Sequence, residues 1–423
     1  MKYGKWLLLL VLTVGLSGGL FAFSQAMNSD LLSTADEMLQ AVVRIRGLEP
    51  KAPVAKEIKT KEEISAYLNQ KIKQEYSPGE IKQQEKILQL LGLIPAKMDL
   101  LEVTLQLLKE QVEGFYDPEK KLFVLASWAP TDEQKPVMVH EFTHVLQDQY
   151  FNINKIMKED RAIANDDRTL AHQAVCEGDA IAVMLEYLTK RDIGKLPDMA
   201  SIDMSSMMSA MTSQAAGMAN IPQYLRENLI FPYSYGVSFL QKVWIKDPSW
   251  QSINKIYSDL PASSEQIMHP DKYFARDNPK PVKEDNLATK LGNNWKVAYK
   301  NVLGEFSLGL LLNLKLTDQR AKRSVLGWGG DWAFLLENSD GKSAVYVDTV
   351  WDSMNEADIF FLAIQDWLQK TYPKAQKSNE SAAGFSLVQN GEFHSLQRDG
   401  INIRFIVGLP ETDGLKLFSP EQK

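Results

Sequence analysis

Only five histidines occur in this 423-residue chain, at positions 140, 144, 172, 269 and 394. Two of them sit in one run, His140-Glu141-Phe142-Thr143-His144. On an α-helix, positions four apart lie about 40° from each other around the axis, one turn apart. Both imidazoles can then reach one metal ion, with Glu141 beside them to take a proton from metal-bound water. No other stretch constrains the fold as much, because this one needs a buried helix and a second element to complete the site. Val137-Met138-Val139 and Val145-Leu146 supply the apolar flanks. A single Cys excludes an intramolecular disulfide and any Cys-rich metal or iron–sulfur site. Metal chemistry must therefore rest on His and carboxylates.

Two His leave a tetrahedral site one protein ligand short, with the fourth position open for water or substrate. Glu177 is the candidate third ligand, in Ala174-Val175-Cys176-Glu177-Gly178-Asp179-Ala180. A carboxylate inside an apolar helix needs a partner to offset its desolvation, and a metal supplies one. Gly178 beside it allows close helix–helix approach at a cost in helix propensity. The competing reading is an acidic pair, Glu177 and Asp179, on a solvated face. His172 lies five residues earlier, about 140° around the same helix, which predicts an exposed residue or a donor behind the ligands. Cys176 reads as a small buried apolar residue, with direct ligation left open.

Composition narrows the class. With 44% hydrophobic and 24% charged residues the chain is globular, and its length suits two or three domains. A net charge of -7 offers no basic excess to phosphates and argues against nucleic acid as a partner. A mean hydropathy of -0.25 excludes a polytopic membrane protein. Residues 1–26 read as an export signal. Lys2 and Lys5 precede an apolar run from Trp6 to Phe23, and Ser24-Gln25-Ala26 supplies a cleavage site. The alternative is an uncleaved membrane anchor, since the run is about long enough to span a bilayer when tilted. Either way the remainder is expected outside the cytoplasmic membrane, as periplasmic, extracellular or anchored protein.

The periodicity predicts an α+β, predominantly helical chain. Residues 27–111 read as a helical region broken by Pro50, Pro53, Pro78 and Pro95. Residues 112–285 hold the pentad. A hairpin is expected at 112–125 around Asp117-Pro118-Glu119-Lys120, then helices near 136–149 and 167–188. Residues 199–218 hold six of the fifteen Met and read as a pliable core segment or as an apolar substrate-facing surface. Helices are expected again at 223–246 and 250–259. Residues 286–423 read as a separate α+β unit with a glycine loop, Gly327-Trp328-Gly329-Gly330-Asp331, ahead of a hairpin.

The pentad followed by a Glu on a later helix resembles the gluzincin group of zinc metallopeptidases, over residues 110–270. The local pattern is most similar to the thermolysin-like one, with Asp148 four residues beyond His144. The resemblance implies a zincin-like catalytic domain, Zn²⁺ on His140, His144 and Glu177, and Asp148 supporting a ligand histidine from behind. It also implies that the 112–125 hairpin belongs to a sheet whose edge pairs with extended substrate. Phe231-Pro232-Tyr233-Ser234-Tyr235-Gly236 resembles the Tyr-x-x-Gly element of aminopeptidase-type members, which makes Tyr233 the oxyanion donor, with Tyr235 as its neighbour. His269, in a loop-like stretch bounded by Pro270, is a second candidate donor. The aminopeptidase Gly-x-Met-Glu-Asn strand has no match in Glu113-Gly114-Phe115-Tyr116-Asp117, which favours an endopeptidase. The expectation is thus an exported zinc peptidase acting on peptide or protein substrate. Its alternative is a catalytically silent scaffold of the same fold at the cell envelope.

Overall fold

The computed structural model describes residues 26–75, 78–111, 114–193, 221–283, 287–292 and 294–418. The expected export segment before Ala26 and the Met-rich stretch at 199–218 lie outside them. The protein is α+β, as the periodicity predicts. In chain order, α1 (Ala26–Arg46) leads into β1 (Ala55–Lys59), α2 (Lys61–Glu75), α3 (Pro78–Leu90) and α4 (Leu100–Gln111). The hairpin β2 (Gly114–Asp117) and β3 (Leu122–Ala126) follows, then α5 (Thr131–Phe151), α6 (Ile153–Ala162), α7 (Asp166–Ile193), α8 (Gln223–Lys246) and α9 (Trp250–Ile256). Short helices α10 (Ser264–Met268), α11 (Pro270–Ala275) and α12 (Leu287–Leu291) lead to the C-terminal unit. That unit comprises β4 (Trp295–Asn301), α13 (Gly304–Asn313), α14 (Asp318–Val325), β5 (Trp328–Asn338), β6 (Ser343–Trp351) and α15 (Met354–Thr371). It ends with β7 (Gln376–Ser381), β8 (Gly384–Gln389), β9 (Glu392–Asp399), β10 (Asn402–Pro410) and α16 (Glu411–Phe418). Among the described residues no helix is long and apolar enough to cross a membrane.

The hairpin forms where expected, and its turn is built by Asp117. The Asp117 Oδ1 accepts from the backbone N of Glu119 at 2.8 Å and of Lys120 at 3.1 Å, while Lys71 and the Tyr67 hydroxyl bind Oδ2. Its sheet has the order β1-β3-β2, with β1 parallel to β3. Here the reading of 27–111 as helical is corrected at one place: the chain runs extended from Ala55 through Lys59. Thr60 and Glu63 then start α2 by a capping box, with Thr60 N donating to Glu63 Oε2 at 2.8 Å and Glu63 N to Thr60 Oγ1 at 3.2 Å. Helix α5 begins at Thr131 rather than near Pro136: Pro130 stands at its N-cap, and Pro136 lies inside the helix at the cost of one backbone hydrogen bond.

The C-terminal sheet is antiparallel, in the order β4-β5-β6-β10-β9-β8-β7. Its glycine stretch is not a loop. Strand β5 starts at Trp328, and Gly329 and Gly330 let residue 280 run alongside, with Lys280 N donating to Gly329 O at 2.5 Å. Strand β7, Gln-Lys-Ser-Asn-Glu-Ser, is exposed throughout and carries no alternation that a sequence reading could find. The N-terminal helices divide between two cores. Leu31, Ala35, Met38 and Val42 of α1 pack with Phe123, Phe142 and Val145 around the pentad. Ile81, Ile87 and Leu88 of α3 instead join Trp328, Leu335, Val345 and Trp367 on the C-terminal sheet. Between the two units, Asp166 N donates to Asn301 Oδ1 and Lys272 Nζ to Asp352 Oδ2, both at 2.8 Å, while within the C-terminal unit Asp331 caps α13 through Leu303 N and Gly304 N, both at 2.8 Å.

His394 lies buried in this sheet. Its ring stacks on Tyr372 with centroids 3.6 Å apart, and its Nδ1 accepts from Gly408 N at 3.2 Å. Burial lowers its pKa to about 4. The unfolded chain therefore takes up a proton near pH 6.5 that the folded protein refuses. The stability tied to a neutral His394 is complete above pH 6.5 and is lost as pH falls toward 4. Unfolding of wild type and His394→Gln at pH 7 and pH 4.5 should show the wild type losing about 2–3 kcal/mol more than the variant. Equal losses in the two proteins would refute the assignment.

Candidate metal centre

The pentad helix α5 is buried almost without interruption from Val137 to Asp148. Helix α7 crosses it and carries Glu177, while α8 packs on α7 at very short range. A Cβ added at Gly178 would stand 2.6 Å from the Gly236 carbonyl oxygen, and one at Gly236 would stand 2.9 Å from the Ala174 carbonyl carbon. The two glycines therefore let the helix backbones touch, which fits the close-approach reading of Gly178. The crossing sets Tyr233, one turn before Gly236, against His140, with ring centroids 6.4 Å apart.

Three potential ligand atoms converge. His140 Nε2 is 3.0 Å from Glu177 Oε2 and 3.0 Å from His144 Nε2, and His144 Nε2 is 3.5 Å from the same oxygen. All three side chains are buried, and together they form a His–His–carboxylate group able to hold a metal ion. Two ligands each about 2.0–2.1 Å from a tetrahedral ion stand about 3.4 Å apart, close to these separations. The reading of Glu177 and Asp179 as a solvated acidic pair is corrected, since both are fully buried. Burial pushes the Glu177 carboxyl up, but His144 and His140 outweigh it and hold it below its ordinary value. Glu177 Oε1 and Glu141 Oε1 are buried without a hydrogen-bond partner, as suits carboxylates facing a cation.

Glu141 is fully buried beside this group, with its Oε2 accepting from the backbone N of Tyr116 at 2.6 Å. Its carboxylate is thus tied to strand β2, an edge strand of the small sheet. Burial raises its pKa to about 8, opposed by His144. Burial also lowers the pKa of His140, whereas at His144 the charge of Glu177 outweighs burial and raises it to about 9. A bound cation opposes the rise at Glu141 and competes for the His144 proton.

The other candidates fall into place by their partners. His269 does not join the group: its Nε2 pairs with Glu305 Oε1 at 2.8 Å, tying the α10–α11 junction to α13. His172 is neither exposed nor behind the ligands. It is buried, with its Nδ1 2.6 Å from Asp160 Oδ2 of α6, on the flank that its helical angle predicts. Cys176 packs in the apolar cluster with Phe231 and Phe239, and burial pushes its thiol pKa well up. Asp148 does not back a ligand histidine. Its Oδ2 accepts from the Tyr116 hydroxyl at 2.7 Å and pairs with Lys121, while Gln147 takes the position behind His144. Tyr235 stacks on Phe231, away from His140.

Comparison with known proteins adds little to this geometry. The family described as a domain of unknown function (DUF8575) matches residues 295–418, within the C-terminal unit. No curated protein matches the sequence significantly. Among solved structures, the crystal structure of a "putative hydrolase with a novel fold" from Chloroflexus aurantiacus aligns over 61% of this chain and 92% of that one. With 16% identity and a TM-score of 0.37, that likeness is too loose to carry an argument. The reading of the site rests on its own residues.

Proposed function

We propose that this protein is a zinc-dependent hydrolase of peptide bonds, most simply an exported endopeptidase. The carrying observation is the buried convergence of His140, His144 and Glu177, with Glu141 between the two histidines in sequence and beside them in space. Two imidazoles and one carboxylate suit Zn²⁺. When bound, such an ion supplies Lewis acidity for a scissile carbonyl and lowers the pKa of a water molecule. The chain's own groups do the rest. Glu141 takes the proton of the attacking water and returns it to the leaving amine. Tyr233, whose ring centroid lies 6.4 Å from that of His140, would donate a hydrogen bond from its hydroxyl to the developing oxyanion. The outer edge of β2, already bonded through Tyr116 N to Glu141, offers a template for an extended peptide. The apolar segment before Ala26 supports export, by cleavage or as an anchor.

The test is metal content together with cleavage of a peptide library by the full chain. We expect one zinc per chain and loss of cleavage on treatment with a chelator. Added Zn²⁺ should restore cleavage. One metal per chain with no turnover on any peptide would instead assign a binding scaffold. Absence of metal after incubation with Zn²⁺ would remove both readings.

A further inference from the structure

Behind the triad lies a buried polar chain that the hydrolytic step does not use. The Oδ2 of Asp179 accepts three hydrogen bonds: from Arg46 Nη2 at 3.2 Å, Gln147 Nε2 at 3.1 Å and the Tyr257 hydroxyl at 2.9 Å. Gln147 Nε2 also donates to the carbonyl oxygen of Cys176 at 3.0 Å, and Gln147 Oε1 lies 2.9 Å from His144 Nδ1. Arg46 ends α1, 133 residues before Asp179, and is itself buried. It donates to Asn254 Oδ1 at 2.7 Å, and its guanidinium lies over the Trp250 ring, 4.5 Å from the centroid.

These contacts orient the Gln147 amide by elimination. Both of its protons go to groups that only accept, a carbonyl and a carboxylate paired with Arg46. Turning the amide over would set its oxygen against both acceptors. Its oxygen therefore faces His144 and can only accept, which assigns the neutral imidazole's proton to Nδ1 and its lone pair to Nε2, the atom in the triad. We propose that Arg46, Asp179 and Gln147 form a positioning relay that locks His144 in its metal-binding tautomer. Helix α1 is then a working part of the metal site, not a detachable leader. The proposal rests on the reading of His140, His144 and Glu177 as metal ligands. It adds three residues that touch neither metal nor substrate.

The experiment uses the full chain, with Zn²⁺ alone as the probe. The Kd of Zn²⁺ is measured by competition with a chromophoric chelator, the His144 tautomer by ¹⁵N ring shifts of metal-free protein at about pH 10, above the raised His144 pKa of about 9 so that the ring is neutral, and folding by thermal unfolding of the same protein. Wild type should show the proton on Nδ1. Gln147→Met should weaken Zn²⁺ binding roughly 10–100-fold and lose that tautomer preference. Arg46→Met should weaken binding about tenfold, with Arg46→Lys recovering part of the loss. A wild-type Zn²⁺ Kd in Gln147→Met, accompanied only by easier unfolding, would reduce the relay to a structural one and overturn the proposal. So would a wild-type His144 protonated on Nε2, a result that needs no variant to fold. A wild type with the Nδ1 proton in place but no affinity for Zn²⁺ would overturn the metal reading itself, and the ring shifts tell that failure from failure of the relay.

Discussion

Replacing Glu141 by Gln is expected to lower peptide hydrolysis by about 10³-fold while leaving one metal ion per chain. Glutamine is nearly isosteric, and its Oε1 can keep the hydrogen bond from Tyr116 N that Glu141 Oε2 now accepts at 2.6 Å. The helix and the convergence of His140, His144 and Glu177 should therefore persist. What disappears is an oxygen able to take a proton from water, since an amide is not a base at neutral pH. Turnover, metal content and melting temperature measured on one preparation separate the outcomes. Hydrolysis above a tenth of the wild-type rate would exclude Glu141 as the base. Loss of metal together with activity would make it part of the binding group instead.

The second large effect is structural. Gly236→Ala should destabilise the protein by about 4 kcal/mol or more, because the new methyl group would press on the backbone of α7 at Ala174. A flexible side chain could yield, but a helix carbonyl cannot move without separating α7 from α8. That separation would draw Glu177 and Tyr233 away from His140, so metal binding should fail along with stability. A control is available in the same chain. A Cβ at Gly309 in α13 meets only Val325 Cγ2 at 3.5 Å, an ordinary contact, so Gly309→Ala should be neutral or stabilise by up to about 1 kcal/mol. Denaturant unfolding of the two variants decides the matter. A Gly236→Ala protein as stable as wild type would show that the helices do not need this contact.

Much of the site is legible in local chemistry. The pentad, the Asp117 turn and the apolar face of α1 each declare themselves within a few residues, and each adopts the element its pattern requires. Glu177 is readable because a buried carboxylate needs a partner. Gln147, three residues past His144 and so on the same face, could have been found by asking what holds the second imidazole nitrogen. The thermolysin-like pattern draws attention one residue further, to Asp148, whose carboxylate is occupied by Tyr116 and Lys121. Arg46 could not be found this way, because no local rule connects the end of α1 to a carboxylate far along the chain. Strand β1 is hidden for a similar reason. Ala-Lys-Glu-Ile-Lys is strand only because β3 offers it a parallel partner.

The way the N-terminal helices are shared has a thermodynamic consequence. The chain leaves α1 in the core around the pentad, lends α3 to the apolar layer beneath the C-terminal sheet, and returns through α4 to the β2–β3 hairpin. Two units threaded by the same strand of backbone cannot melt like beads on a string. Unfolding the sheet strips Ile81, Ile87 and Leu88 of their cover and loosens the N-terminal flank of the hairpin that presents Tyr116 to Glu141. The C-terminal unit, remote in sequence from His140, His144 and Glu177, is therefore expected to unfold with them in a single cooperative transition.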